Sequence, residues 1–284
     1  MASLPKLSFP SFSLPALPFF KGADPIALDI GSTFIKLVHI KGSGKNYQLA
    51  KFGMIPLPPE VIVEGAVMDA GRVVDAIKEL LSAQKVSTKH VVLSVSGSSV
   101  IIKRVAVTDM SDEELAESIK WEAEQYIPFS IDDVNIDFQK LGPGPAEGQA
   151  DVLLVAVKKD KINDYINLVK EAGLEPVVMD VDAFALANMY ELNYAMEAGT
   201  TALLNIGASV MNINILRDGM SIFTRDITVG GNRYSEALQR DFGLSYEDAE
   251  RIKQGGDVEG ADREQVAQTL ASITEDIVAE IQRS

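Results

Sequence analysis

Asp29-Ile30-Gly31-Ser32-Thr33-Phe34-Ile35-Lys36 gathers, in one short stretch, the residue types that hold a phosphate. Gly31 lacks the Cβ that would keep an anion away from the backbone. Successive turn amides can then point at that anion, and the hydroxyls of Ser32 and Thr33 add donors. Lys36 offers a point charge, and Asp29 can hold a magnesium ion through water. A second, worn copy follows far along the chain as Asn205-Ile206-Gly207-Ala208-Ser209.

Both copies need the same scaffold. Each is preceded by apolar residues, Pro25-Ile26-Ala27-Leu28 and Thr201-Ala202-Leu203-Leu204. Each is followed by a second apolar strand, Leu37-Val38-His39-Ile40 and Ile213-Asn214-Ile215-Leu216. Strand, acid or amide, glycine turn, hydroxyl, strand: each copy reads as a hairpin facing a phosphate. One such motif is weak evidence, but two, opening the two halves of one chain, point to a duplicated nucleotide-binding fold.

The 284 residues exceed the usual size of one domain, which predicts two lobes. With no cysteine, disulfide frameworks and thiolate metal sites are excluded. The formal charge of −15 argues against nucleic acid as a partner, because phosphate backbones are held by clustered Lys and Arg. No apolar run approaches the roughly 20 residues that span a bilayer. Prolines at 5, 10, 15 and 18 interrupt any signal-peptide pattern. Those prolines also deny residues 1–22 a helix or a sheet ladder. This opening segment reads either as a flexible tail or as an apolar one, through Phe9, Phe12, Phe19 and Phe20, that touches a membrane or a partner.

Between the hairpins, residues 47–54 alternate as a third strand. Residues 69–84 form a helix with Val73, Val74, Ile77, Leu80 and Leu81 on one face. A buried strand at 91–95 ends in Ser96-Gly97-Ser98-Ser99, which reads as a tight connection or as a further phosphate loop. Residues 101–174 then read as a βαββα unit inserted between the hairpins. Its strands are at 101–107, 135–141 and 152–157, and its second helix at 161–172. Ser111 and Glu114 make a capping box at the start of its first helix. Trp121 and the corner Tyr126-Ile127-Pro128-Phe129 are either core or a docking surface, since such a corner can anchor a partner. A strand at 177–181 and a helix at 183–192 join the halves. Beyond the second hairpin, the strand at 221–227 leads through Gly230-Gly231 into helices at 232–240, 245–253 and 263–282. The last presents Val266, Leu270, Ile273, Ile277 and Ile281 on one face.

DIGSTFIK, LLNIGASVMNINI and FTRDITVGG followed by EDAERIK resemble the superfamily of actin, the heat-shock ATPase chaperones and hexokinase. Within it, KWEAEQYIPFSIDDVNIDF resembles the PilM family of the type IV pilus machine more than its cell-division relative FtsA. The resemblance covers roughly residues 24–284. It implies an α/β, actin-like (ribonuclease H-like) duplicated two-lobe fold carrying an inserted βαββα subdomain. The first lobe would comprise residues 23–100 and 175–199, the insertion 101–174 and the second lobe 200–284. It implies ATP and Mg2+ in the cleft, with Asp29 near the metal and Gly31, Ser32 and Thr33 cradling phosphate. Lys36 would contact phosphate oxygens, Gly207, Ala208 and Ser209 would form the opposing loop, and Gly230-Gly231 would approach the ribose. It further implies a cytoplasmic scaffold, peripheral to the inner membrane, that holds the N-terminal tail of a PilN-like protein. Self-association into a ring or multimer and contact with other pilus components would follow.

Two departures stand out. Asn205 replaces the aspartate that normally opens the second hairpin, which removes a charge that could hold the ion or orient a water. The family's purine-binding glycine loop is not found before Ser284, so the second lobe is expected to be incomplete. A small-molecule kinase of the superfamily would need a base near the transferred phosphoryl group, for which Asp180 and Asp182 are the candidates. An FtsA-type protein would need a membrane helix beyond a complete second lobe.

Overall fold

The computed structural model describes residues 24–43, 46–194 and 198–284; the tail expected at 1–22 lies outside the described residues. Along the chain, β1 (Ile26–Ile30), β2 (Phe34–Ser43) and β3 (Asn46–Pro56) form a meander. A two-stranded hairpin follows, β4 (Ile62–Val63) and β5 (Ala66–Val67), which no periodicity announced. Helix α1 (Ala70–Ala83) then starts on Asp69, whose carboxylate accepts the Arg72 N–H. Strands β6 (His90–Val95) and, much later, β10 (Glu175–Val181) add in parallel to the other edge of the sheet, giving the order β10-β6-β1-β2-β3.

In β1, Ile26, Leu28 and Ile30 are buried while Ala27 and Asp29 are exposed. This alternation turns the Asp29 side chain away from the core. The buried face packs on Val73, Val74, Ile77 and Leu80 of α1. Because sheet register is fixed by that buried face, the hairpin tip has one orientation only.

The inserted segment builds a separate antiparallel sheet from β7 (Val100–Thr108), β8 (Val134–Pro143) and β9 (Gln149–Lys158), with β9 central. Helix α2 (Asp112–Glu124) covers it with Leu115, Ile119 and Ala123. The capping box forms: Ser111 Oγ accepts the Glu114 N–H, and the Glu114 carboxylate accepts the Ser111 N–H at 2.9 Å. Helix α3 (Lys159–Glu171) corrects the expected unit. Its buried Tyr165, Leu168 and Val169 join the core of the first sheet rather than that of the insertion. The cause is position: β9 ends beside the first sheet, and the apolar stripe of α3 meets α1 there.

After helix α4 (Asp182–Asn193), β11 (Thr200–Ile206), β12 (Met211–Arg217) and β13 (Met220–Ile227) form an antiparallel meander that repeats the β1–β3 arrangement. Helices α5 (Asn232–Phe242), α6 (Tyr246–Lys253) and α7 (Arg263–Gln282) complete the described chain. The apolar face of α7 is divided between two cores. Ile273, Ile277 and Ile281 lie against Met211, Ile213 and Ile227 of the sheet, whereas Val266 and Leu270 lie against Leu238 and Ile252 of α5 and α6. Among the described residues no helix is long and apolar enough to cross a membrane.

Candidate functional site

The two glycine turns have the same geometry. Gly31 N–H donates to the Phe34 carbonyl at 3.0 Å, and Gly207 N–H donates to the Val210 carbonyl at 3.0 Å. A Cβ on Gly31 would come within 3.0 Å of the Phe34 oxygen, and one on Gly207 within 2.9 Å of the Val210 oxygen. The glycines are therefore demanded first by the closure of their own turns, a stricter reason than the approach of an anion alone. The closure leaves Ser32 and Thr33 at one tip and Ala208 and Ser209 at the other. Both tips line a single cavity of about 130 Å³. The sequence repeat thus becomes two loops facing one space.

Below each tip the strands are joined by one cross-strand pair, and here the halves differ. Asp29 and Lys36 are direct partners of β1 and β2, and Lys36 Nζ donates to Asp29 Oδ2 at 2.8 Å. In the second hairpin the equivalent partners are Asn205 and Asn212, with Asn205 Nδ2 donating to Asn212 Oδ1 at 2.9 Å. Asn212 Nδ2 passes the chain on to Asp226 Oδ1 at 2.8 Å, and the other Asp226 oxygen accepts the N–H of Gly97. Gly97 sits at φ +91° in the Ser96–Ser99 turn, closed by the Val100 N–H to Gly97 carbonyl bond. That turn is a tight connection between β6 and β7, and it ties the first half of the molecule to the second.

Gly230-Gly231 stands against the second turn. Gly231 N–H donates to the Gly207 carbonyl at 2.9 Å and Asn232 N–H to the Ala208 carbonyl at 2.8 Å. A Cβ on Gly230 would meet the Ala208 oxygen at 2.6 Å. The pair therefore braces the loop from behind. Gly230 also borders an adjoining, larger cavity of about 480 Å³, shared with Thr33, Ser209, Arg233, Glu236 and Tyr246.

The small cavity is also lined by Asp182, one of the two candidate bases of the sequence, and by Lys161 and Tyr165, which carried no signal there. Asp182 opens α4 and accepts the Ser94 hydroxyl at 2.5 Å. Lys161 lies in the first turn of α3, and its ammonium donates to the Gly65 carbonyl and to Tyr165 Oη at 3.3 Å. Burial holds the Lys161 ammonium below its ordinary pKa and pushes the Tyr165 hydroxyl up. The other candidate base, Asp180 on β10, is not among the residues lining the cavity; burial raises it, partly offset by the Val181 N–H on its carboxylate. Only topology brings these groups to the hairpins, since α3 and α4 reach the cleft from distant parts of the chain.

Asp29 and Asp182 are the aspartates of the small cavity, and among the described residues no cluster of three or more His, Cys, Asp or Glu is placed to hold a metal. At the expected docking corner, Ile127 is 6% exposed and belongs to the core of the insertion. Tyr126 and Phe129 pack against that core, and Lys158 Nζ stands 4.2 Å from the Phe129 ring centre. Trp121 is not core: at 79% exposure it projects from the outer side of α2.

Residues 27–284 match the family described as type IV pilus assembly protein PilM. Among solved structures, the chain is similar to the PilM-PilN type IV pilus biogenesis complex, at 29% identity and a TM-score of 0.78. That alignment covers 92% of this chain and 76% of the other. The fold is shared more distantly with the ethanolamine utilization protein EutJ of Carboxydothermus hydrogenoformans (16% identity, TM-score 0.53, 91% and 70% covered). It is also shared with MreB5 of Spiroplasma citri bound to AMPPNP (14% identity, TM-score 0.52, 93% and 78% covered). The architecture is the actin-like one, shared by these proteins.

Proposed function

The chain belongs to the type IV pilus assembly family of PilM, and from that premise we propose that it is a nucleotide-binding scaffold of the pilus machine. It holds ATP with Mg2+ between its two glycine turns and receives the cytoplasmic N-terminal tail of a PilN-like membrane protein. The observation that carries the nucleotide reading is the pair of identical turns lining one cavity. Ser32, Thr33, Ala208 and Ser209 offer the phosphates backbone N–H groups and hydroxyls from turns that Gly31 and Gly207 close with their own N–H groups. Gly230-Gly231 sets the position of the second turn.

The groups present suit magnesium, which keeps most of its waters and needs only one or two carboxylates beside phosphate oxygens. Asp29 would serve from the first hairpin. Bound metal would neutralise phosphate charge. Asp29 and Lys36 are paired with each other at 2.8 Å, so loading the site opens that pair and frees one group for metal and the other for phosphate. Asn205 brings no charge to the second hairpin and already donates to Asn212. Turnover is accordingly slow or absent, and the nucleotide acts as a structural ligand.

The domain reading is two lobes, 23–100 with 175–199 and 200–284, around an insertion at 101–174 whose last helix, α3, packs on the first lobe. The PilN-type partner follows from the likeness to a PilM-PilN complex. The exposed Trp121, with Pro128 and the half-buried Tyr126 and Phe129, makes the insertion its receiving surface, and Ile127 supports that corner from the core. Attachment to PilN places the scaffold at the cytoplasmic face of the inner membrane, with further copies and pilus components around it.

Calorimetric titration with ATP, with and without Mg2+, tests the site. Lys36→Ala is expected to weaken binding by about 1.5–3 kcal/mol, the range of a charged hydrogen bond. Absence of any ATP binding by the parent chain would refute the nucleotide reading. A synthetic PilN-like tail peptide tests the partner separately.

A further inference from the structure

Lys161 is a charge that the described residues leave without a counter-ion. Its three donors find only neutral acceptors, the Gly65 carbonyl and the Tyr165 hydroxyl, with the Tyr165 ring centre 4.5 Å away. Asp164 and Asp182 act on it at longer range and form no ion pair with it. By contrast Lys36 is paired with Asp29, and Lys253 with Glu250. Withdrawing an ammonium from water is costly unless an anion meets it. Lys161 lines the same cavity as the Ser32-Thr33 and Ala208-Ser209 tips, so an anion held by those tips would supply the missing counter-charge and compete with the Gly65 carbonyl for the ammonium.

We infer that Lys161 is an anion-binding residue of the cleft, supplying positive charge to a nucleotide phosphate beside Lys36, which must first give up its pair with Asp29. The inference rests on the nucleotide reading and deepens it. It also joins binding to a moving part. Gly65, at φ +80°, and Glu64, at φ +49°, form the tip of the β4–β5 hairpin, and both border the cavity. Only four residues pair in that hairpin, Ile62 with Val67 and Val63 with Ala66. Val61, Ile62 and Val67 anchor the base of the hairpin in the first core, whereas its tip is tied by the Lys161 bond to the Gly65 carbonyl. When a phosphate takes the ammonium, the tip at Gly65 is released.

The test compares the parent with Lys161→Met and Lys161→Gln, titrated calorimetrically with ATP at fixed Mg2+ after a melting scan has shown which variants are folded. Gln can still donate to the Gly65 carbonyl, so it separates loss of charge from loss of the tie. Both variants should bind ATP about tenfold more weakly or worse, one charged hydrogen bond in affinity terms. Hydrogen exchange at Val63 and Ala66 should quicken in the parent when ATP is added, and in ligand-free Lys161→Met. If the parent binds ATP and the folded variants bind it equally well, the role of Lys161 is overturned while the nucleotide site stands. If the parent binds no ATP, both fall. Unchanged exchange at the hairpin in every arm overturns the release of Gly65.

Discussion

At the residue scale, the rung below each glycine turn differs between the hairpins: an ion pair in one, an amide pair in the other. Asn205 was noticed for the charge it lacks, yet its amide does something a carboxylate could not, because it donates to Asn212. Asn205→Asp leaves two acceptors facing each other. The Asn212 amide can turn over to satisfy the new carboxylate, but it then gives up Asp226. One hydrogen bond is lost either way, and denaturant unfolding at neutral pH should show about 1 kcal/mol less stability. Trp121 makes the opposite case. Its indole is 79% exposed, so Trp121→Ala should change stability by no more than about 0.5 kcal/mol. The same variant should bind a PilN-like tail peptide measurably more weakly; equal binding would move the receiving surface elsewhere. The phosphate motif was legible because its residues are neighbours in sequence. Lys161 was not, since a lysine among Lys158, Lys159 and Lys161 at a helix start reads as a solvated face, and only the packing of α3 carries it into the cleft.

Elements were more legible than their allegiances. Hydrophobic periodicity and caps placed every long helix and strand close to its observed ends, as with α2 and its capping box. Ser111→Ala should lower unfolding stability by about 1 kcal/mol, with the loss confined to protection of the α2 amides in hydrogen exchange. Which core an element joins is a different kind of information. The stripe of α3 says that it is buried, not against what, and the stripe of α7 gives no hint that it serves two clusters. The β4–β5 hairpin was missed because four paired residues are too few for any period to show. The bracing of the Gly207 turn by Gly230 belongs to this scale too. Gly230→Ala would press a methyl group onto backbone carbonyls that cannot swing aside, the Ala208 oxygen at 2.6 Å among them. It should cost about 1–3 kcal/mol of stability, and ATP titration of the folded fraction should show weakened binding.

On the scale of the whole molecule, Asp226 is one place where the halves are fastened, since its two oxygens serve Asn212 on one side and Gly97 on the other; the buried Asn214 amide, donating to the Ala183 carbonyl at 2.9 Å, is another. Asp226→Ala should widen the distribution of distances between spin labels placed on α1 and α5. The chain has no native cysteine to interfere with such labelling. An unchanged distribution would mean that the fastening is redundant. The asymmetry of the two rungs has one more outcome. Surface ion pairs weaken as salt is added, whereas neutral amide pairs are nearly indifferent to it. At the two hairpin rungs, dissolved ions therefore act on one only. They loosen the rim built by Asp29 and Lys36 and leave the rim built by Asn205 and Asn212 as it was, so two loops alike in shape answer salt differently across one cleft.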